Sequence, residues 1–81
     1  MTPVGYAHMV HMLKSVNNGK MAIALEGGYN LNSTAMSALA CMNVLLGDAP
    51  PPITSNLAPK KECIETIEQV REIQKEFWTC L

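Results

Sequence analysis

An α/β fold is expected from three features of this chain. The run from Lys20 to Leu25 is short, apolar and without polar alternation, the pattern of a strand buried on both faces of a parallel sheet. It breaks at once into Glu26, Gly27, Gly28 and Tyr29, the kind of strand end where α/β proteins present working residues. Apolar residues recur at helical spacing on both sides of it. The expected order is helix, strand, helix, linker, helix. One strand cannot form a sheet, because its buried backbone donors and acceptors need neighbours on both sides. The chain is therefore expected either to pair with another copy or to be the end of a longer α/β domain.

Each element has its own signals. Thr2 and Pro3 read as a helix start, since Thr2 can accept from an orphan N–H and Pro3 lacks a donor that would be unpaired there. Val4, Tyr6, Ala7, Met9, Val10, Leu13 and Val16 then extend a helix over about residues 3–17, and Asn17, Asn18 and Gly19 end it, with Gly19 suited to φ > 0. After the strand, Gly27 and Gly28 free the backbone for a tight turn. A second helix is expected from a cap at Asn32 or Ser33 to about Leu46, with Met36, Leu39, Ala40, Asn43, Val44 and Leu46 on one side and Gly47 as C-cap. Residues 48–52, Asp-Ala-Pro-Pro-Pro, cannot continue a helix and read as a stiff extended connection. The last helix, about residues 59–79, carries Ile64, Ile67, Val70, Gln74, Phe77 and Leu81 on one stripe and most of its charges opposite.

Composition narrows the functional classes. The chain has 81 residues, of which 48% are hydrophobic and only 16% charged, against a usual charged share of about 25%. A small free-standing protein needs more charge to cover its surface, so the balance suits a piece of a larger core. A net charge of −1 offers no footprint for nucleic acid and no basic face for a membrane. No apolar run approaches the ~20 residues of a membrane span. The N-terminus has no basic segment leading into an apolar one, so the expected location is nuclear or cytoplasmic rather than secreted. Cys41, Cys63 and Cys80 lack CxxC spacing and are expected to be reduced thiols, the first two packed as small hydrophobes and the third exposed.

The string Leu25-Glu26-Gly27-Gly28-Tyr29-Asn30-Leu31, with Thr2-Pro3, Gly5-Tyr6-Ala7-His8, Ser33 and Leu45-Leu46-Gly47-Asp48 around it, resembles the C-terminal part of the catalytic domain of zinc-dependent histone deacetylases, on the class II, HDA1-like branch. A Gly-Gly-Tyr alone is a weak signal, whereas the seven-residue string between two helices is fairly specific. The resemblance implies a three-layer, arginase-like parallel sheet in which residues 20–25 are a late strand. It divides the chain into a core-matching part (2–51), a proline-rich connection (48–59) and a C-terminal helix (59–80). It implies hydrolysis of acetyl-lysine amides on a protein such as a histone tail, hence chromatin regulation and transcriptional repression in the nucleus, with zinc as cofactor. In the family the tyrosine after the two glycines donates a hydrogen bond to the substrate carbonyl oxygen. Here that residue is Tyr29, with Gly27 and Gly28 letting the backbone approach the substrate.

The resemblance also implies that the zinc ligands, two aspartates and a histidine, and the histidine pair that activates water lie outside this stretch. His8 and His11 stand at i,i+3 on a helix but have no third ligand nearby, so packing or surface is their expected role. No metal ligand is assigned, and the chain alone is expected to be inactive, a partial domain completed by the rest of the deacetylase. Glu26 is expected to bond nearby backbone, the six methionines to fill core gaps, and Phe77-Trp78 to anchor the last helix to the domain. The alternative is a non-catalytic helical interaction module derived from a deacetylase, in which Tyr29 is an ordinary turn residue.

Overall fold

The computed structural model describes residues 1–54 and 56–81. Among them are three helices: α1 at Pro3–Leu13, α2 at Leu31–Leu45 and α3 at Lys61–Gln74. The start of α1 follows the sequence signals. Thr2 Oγ1 accepts from the Gly5 N–H at 3.1 Å, and Pro3 occupies the first turn. Its end comes earlier than the apolar spacing suggests. The Ser15 hydroxyl donates to the Met12 carbonyl at 2.6 Å, offering the backbone an alternative to the helix. Asn17, Asn18 and Gly19 then take φ of 53°, 56° and 74°, three left-handed residues in a row inside a short 3₁₀ turn at Val16–Gly19. Asparagine tolerates that region better than other side-chain-bearing residues.

α2 is capped two or three residues earlier than expected, by Asn30 rather than Asn32 or Ser33. Asn30 has extended dihedrals, and its Oδ1 accepts from the Ser33 N–H at 3.1 Å. The C-terminus closes as a Schellman motif around Gly47 at φ 109°. The Gly47 N–H donates to the Val44 carbonyl at 3.1 Å and the Asp48 N–H to the Asn43 carbonyl at 3.0 Å.

α1 and α2 pack on each other, and their contact is the core. Ala7, Val10 and Val44 are buried, with Met21, Ala40 and Cys41 alongside. Two longer-range bonds fasten the pair. Lys14 Nζ donates to the Val44 carbonyl at 2.8 Å, placing a cation on the carbonyl end of α2, a favourable site worth about 1 kcal/mol. His8 Nε2 bonds to the Pro51 carbonyl at 2.7 Å. A carbonyl only accepts, so that ring nitrogen carries the proton, and the bond ties the proline connection back to α1.

The expected strand at residues 20–25 does not form. Residues 21–28 carry no regular structure, and residues 21–29 find no backbone hydrogen-bond partner among the described residues. From Ala22 to Asn30 every residue is exposed. The reason is the one that applies to any lone strand: no neighbouring strand is present to take its donors and acceptors. A parallel sheet is thus not visible in this chain.

α3 stands apart and is shorter than expected, beginning after Pro59 and ending at Gln74. It makes no contact with α1 or α2, and Ile64, Ile67, Val70 and Ile73 are all exposed. Phe77 and Trp78 are exposed too, so they anchor nothing here. Without a surface to pack against, the helix has no reason to continue through two aromatic residues of modest helix propensity. Cys63 is likewise exposed rather than packed, whereas Cys41 is partly buried and Cys80 exposed, as their positions suggest. Of the methionines, Met21 lies against the core, while Met1, Met12, Met36 and Met42 are exposed. The Lys75 ammonium bonds to Glu72 and, through that bond first and its charge second, holds the carboxyl below its ordinary value. Such a depressed carboxylate adds stability above the ordinary carboxylate range and loses it as pH falls through that range, and full exposure keeps the effect small.

Among the described residues only Ala7, Val10 and Val44 are buried hydrophobics, a thin core for a chain of this length. Far-UV circular dichroism of the isolated chain is expected to show helix that melts over a broad, poorly cooperative transition. Val44→Ala, which removes two methylenes' worth of buried surface at the centre of the α1–α2 contact, is expected to lower helicity at 25 °C. A sharp melt unmoved by Val44→Ala would contradict this account of the core.

Candidate functional site

The residues singled out by sequence meet at the N-terminus of α2. Gly27 and Gly28 have φ of 156° and 111°, values that side-chain-bearing residues rarely adopt. They set the backbone path between the exposed run 22–25 and the Asn30 cap. Tyr29, the residue between this turn and the cap, is 97% exposed. A Cβ on Gly27 would lie 4.0 Å from the Tyr29 hydroxyl, so the ring folds back across the first glycine.

The turn is bounded on its other side by α2 itself. A Cβ on Gly28 would lie 3.2 Å from Thr34 Cγ2 and 3.4 Å from Thr34 Cβ, with Thr34 Oγ1 closer still. Thr34 is half-buried, and its N–H donates to the Asn30 carbonyl at 2.9 Å. Thr34 did not stand out by sequence. Five residues separate it from Gly28, and with the cap at Asn30 its side chain lies over the glycine.

Glu26 has no hydrogen-bond partner among the described residues, so the expected bond to nearby backbone is absent. His8 is engaged by Pro51, and His11 is exposed on α1. Among the described residues no group of three His, Cys, Asp or Glu side chains converges to hold a metal ion. The donor set present does not fit a zinc site, so what this chain's own residues offer is a phenol and a glycine turn. A groove of about 380 Å³ between α1, α2 and the proline connection is lined by Pro3, Met36, Leu39, Asn43 and Pro51 among others, and it does not include Tyr29.

No protein-family model matches the chain. Individual proteins do. The chain is 46% identical over 80 residues to histone deacetylase HDA1 of Saccharomyces cerevisiae, covering 98% of this chain and 11% of that protein. It is 48% identical over 80 residues to histone deacetylase HDA1 of Candida albicans, covering 99% of this chain and 10% of that protein. The chain belongs to the histone deacetylase family, as a segment of its HDA1-like branch. A more distant relative, the polyamine deacetylase HDAC10 of Mus musculus, is 36% identical over 80 residues, again across 99% of this chain and 12% of the relative. The chain thus spans about a tenth of the length of the deacetylases it matches, and α3 lies within the matched stretch along with α1 and α2. No helix of the described residues is long and apolar enough to cross a membrane.

The geometry of the turn depends on the Asn30 cap. Asn30→Ala leaves the Ser33 N–H without its acceptor and is expected to cost about 1 kcal/mol of helix stability. Amide hydrogen exchange in the first turn of α2 should accelerate in Asn30→Ala and stay near the parent rate in Asn30→Asp, which keeps an acceptor oxygen.

Proposed function

We propose that this chain is the C-terminal segment of the catalytic domain of a zinc-dependent protein lysine deacetylase, and that Tyr29 is its transition-state hydrogen-bond donor. The observation that carries the reading is the pair of positive-φ glycines set directly before an exposed tyrosine at the capped start of α2. Membership of the deacetylase family supports it, since relatives are named for removing acetyl groups from histones or polyamines. Residues 20–25 become a strand of the parallel sheet when the remaining domain supplies strands on either side. The proposed division is a core-matching part at 2–51, a connection at 48–59 and a terminal helix at 59–80.

The chemistry suits the residue. A phenol with an ordinary pKa of about 10 stays protonated at neutral pH and donates without carrying charge. As water adds to the acetyl carbonyl, its oxygen gains negative charge, and the bond from Tyr29 strengthens in step. One such donor is worth about 3–4 kcal/mol in the transition state. Gly27 and Gly28 let the backbone come close to the acetyl-lysine, with the side where Gly28 would carry a Cβ turned toward Thr34. In the complete enzyme zinc would be held by residues outside this chain and would supply Lewis-acid chemistry. The substrate is proposed to be an acetylated protein such as a histone tail, with the enzyme acting on chromatin in the nucleus. The chain by itself is proposed to be inactive, because it holds neither the metal nor the base.

In the complete deacetylase, Tyr29→Phe is expected to lower kcat by about 10²–10³-fold with the fold intact. Near-normal turnover removes Tyr29 from the mechanism. The isolated 81-residue chain, supplied with zinc and an acetyl-lysine peptide, is expected to release no acetate above background. Zinc-dependent release would overturn the reading that metal and base lie elsewhere, and would favour a different catalytic group within these residues.

A further inference from the structure

We propose that Thr34 is a positioning residue, the side chain against which the Gly27–Gly28 turn is set and which thereby fixes where Tyr29 points. The inference rests on the deacetylase reading above and adds a residue to it. The positive φ of Gly28 explains why a side chain is disfavoured there, whatever the space. The space supplies a second, separate reason. A Cβ at Gly28 would press on Thr34 Oγ1, Cγ2 and Cβ together, which means that the Gly28 α-carbon already lies in contact with the threonine.

Thr34 is a firm stop for three reasons. It belongs to the first turn of α2, where its own N–H is bonded to Asn30 and the adjacent Ser33 N–H is bonded to the Asn30 side chain. Its β-branched side chain has few rotamers in a helix. It is half-buried, and its Oγ1 and Cγ2 both face the turn. Tyr29 lies between two fixed points, the Gly28 α-carbon resting on Thr34 and the Asn30 cap, so little freedom remains in its backbone. A donor to a developing oxyanion must be held to within a fraction of an ångström, and a 1 Å displacement can cost about 10²-fold in rate.

The test is a double-mutant cycle in the complete deacetylase, with kcat, KM and Tm read for each variant. Gly28→Ala is expected to lower kcat by about 10²-fold with KM little changed. Thr34→Ala leaves the turn unsupported and is expected to lower kcat several-fold, again with KM and Tm near the parent, whereas Thr34→Val, which keeps the shape, restores the parent rate. In the double variant Gly28→Ala/Thr34→Ala the new methyl group has room, and kcat is expected to rise about tenfold above Gly28→Ala alone, although the strain of the positive φ persists. A double variant no faster than Gly28→Ala overturns the proposal. Tyr29→Phe measured beside them separates the two readings: if it turns over normally, the oxyanion role fails, and the Gly28–Thr34 contact is judged instead by Tm, where the double variant must lie above Gly28→Ala.

Discussion

Between Met21 and Tyr29 nine residues of backbone carry donors and acceptors that no protein group satisfies among the described residues. Water serves them while the segment is exposed. Burial removes that option, and an unmet amide or carbonyl then costs about as much as a lost hydrogen bond. The apolar character of residues 20–25 favours burial, and the backbone forbids it until neighbouring strands are in place. This one conflict explains the open turn, the exposed Tyr29 and the thin core, which comprises only what α1 and α2 can bury without a sheet between or beneath them.

The α1–α2 pair is what the chain can organise on its own. Val44 is 1% exposed, and Ala7 and Val10 meet it from α1. Lys14, the C-cap of α1, and His8 within it each reach a carbonyl more than 25 residues away, one at the end of α2 and one in the proline connection. Both bonds involve main-chain acceptors, so they fix the backbone beyond α2 rather than a particular side chain. The helix that begins at the glycine turn is thereby held at its far end. α3 has the opposite character. Its stripe of isoleucines and valine is amphipathic in sequence and bare in structure, because the helix is locally self-sufficient in hydrogen bonds and depends on a partner surface only for packing.

What could be read from the sequence followed the range of the forces involved. Thr2, Pro3 and Gly47 act within one turn of their own positions, and each does what its residue type dictates. The two glycines and the tyrosine were legible for the same reason, as local breaks in an apolar run. The cap of α2 was misplaced by two or three residues because Asn30, Asn32 and Ser33 are all competent caps, and the choice between them follows from where the preceding turn delivers the chain. Residues 20–25 read as a strand yet pair with none here, because apolar spacing reports what a segment would bury, not whether a neighbour is available. Lys14–Val44, His8–Pro51 and Gly28–Thr34 left no trace in the spacing of residues, since each depends on how two elements meet.

Exposure also bears on the role proposed for Tyr29. In water a phenol donates to solvent as readily as to a carbonyl oxygen, and the oxygen of a substrate is equally well served by water. A fixed donor gains its advantage only where water is excluded and the local dielectric is low, so that the bond strengthens as charge develops and nothing must reorganise to make it. The two glycines, the Asn30 cap and Thr34 constrain the backbone that carries the phenol, which is the part of preorganisation that near neighbours provide. They cannot dry the site. On the proposed reading, the walls that do so come from the neighbouring strands and loops that would pair residues 20–25. On the proposed reading of Tyr29, pairing residues 20–25 with neighbouring strands and drying the surroundings of the phenol are therefore one event.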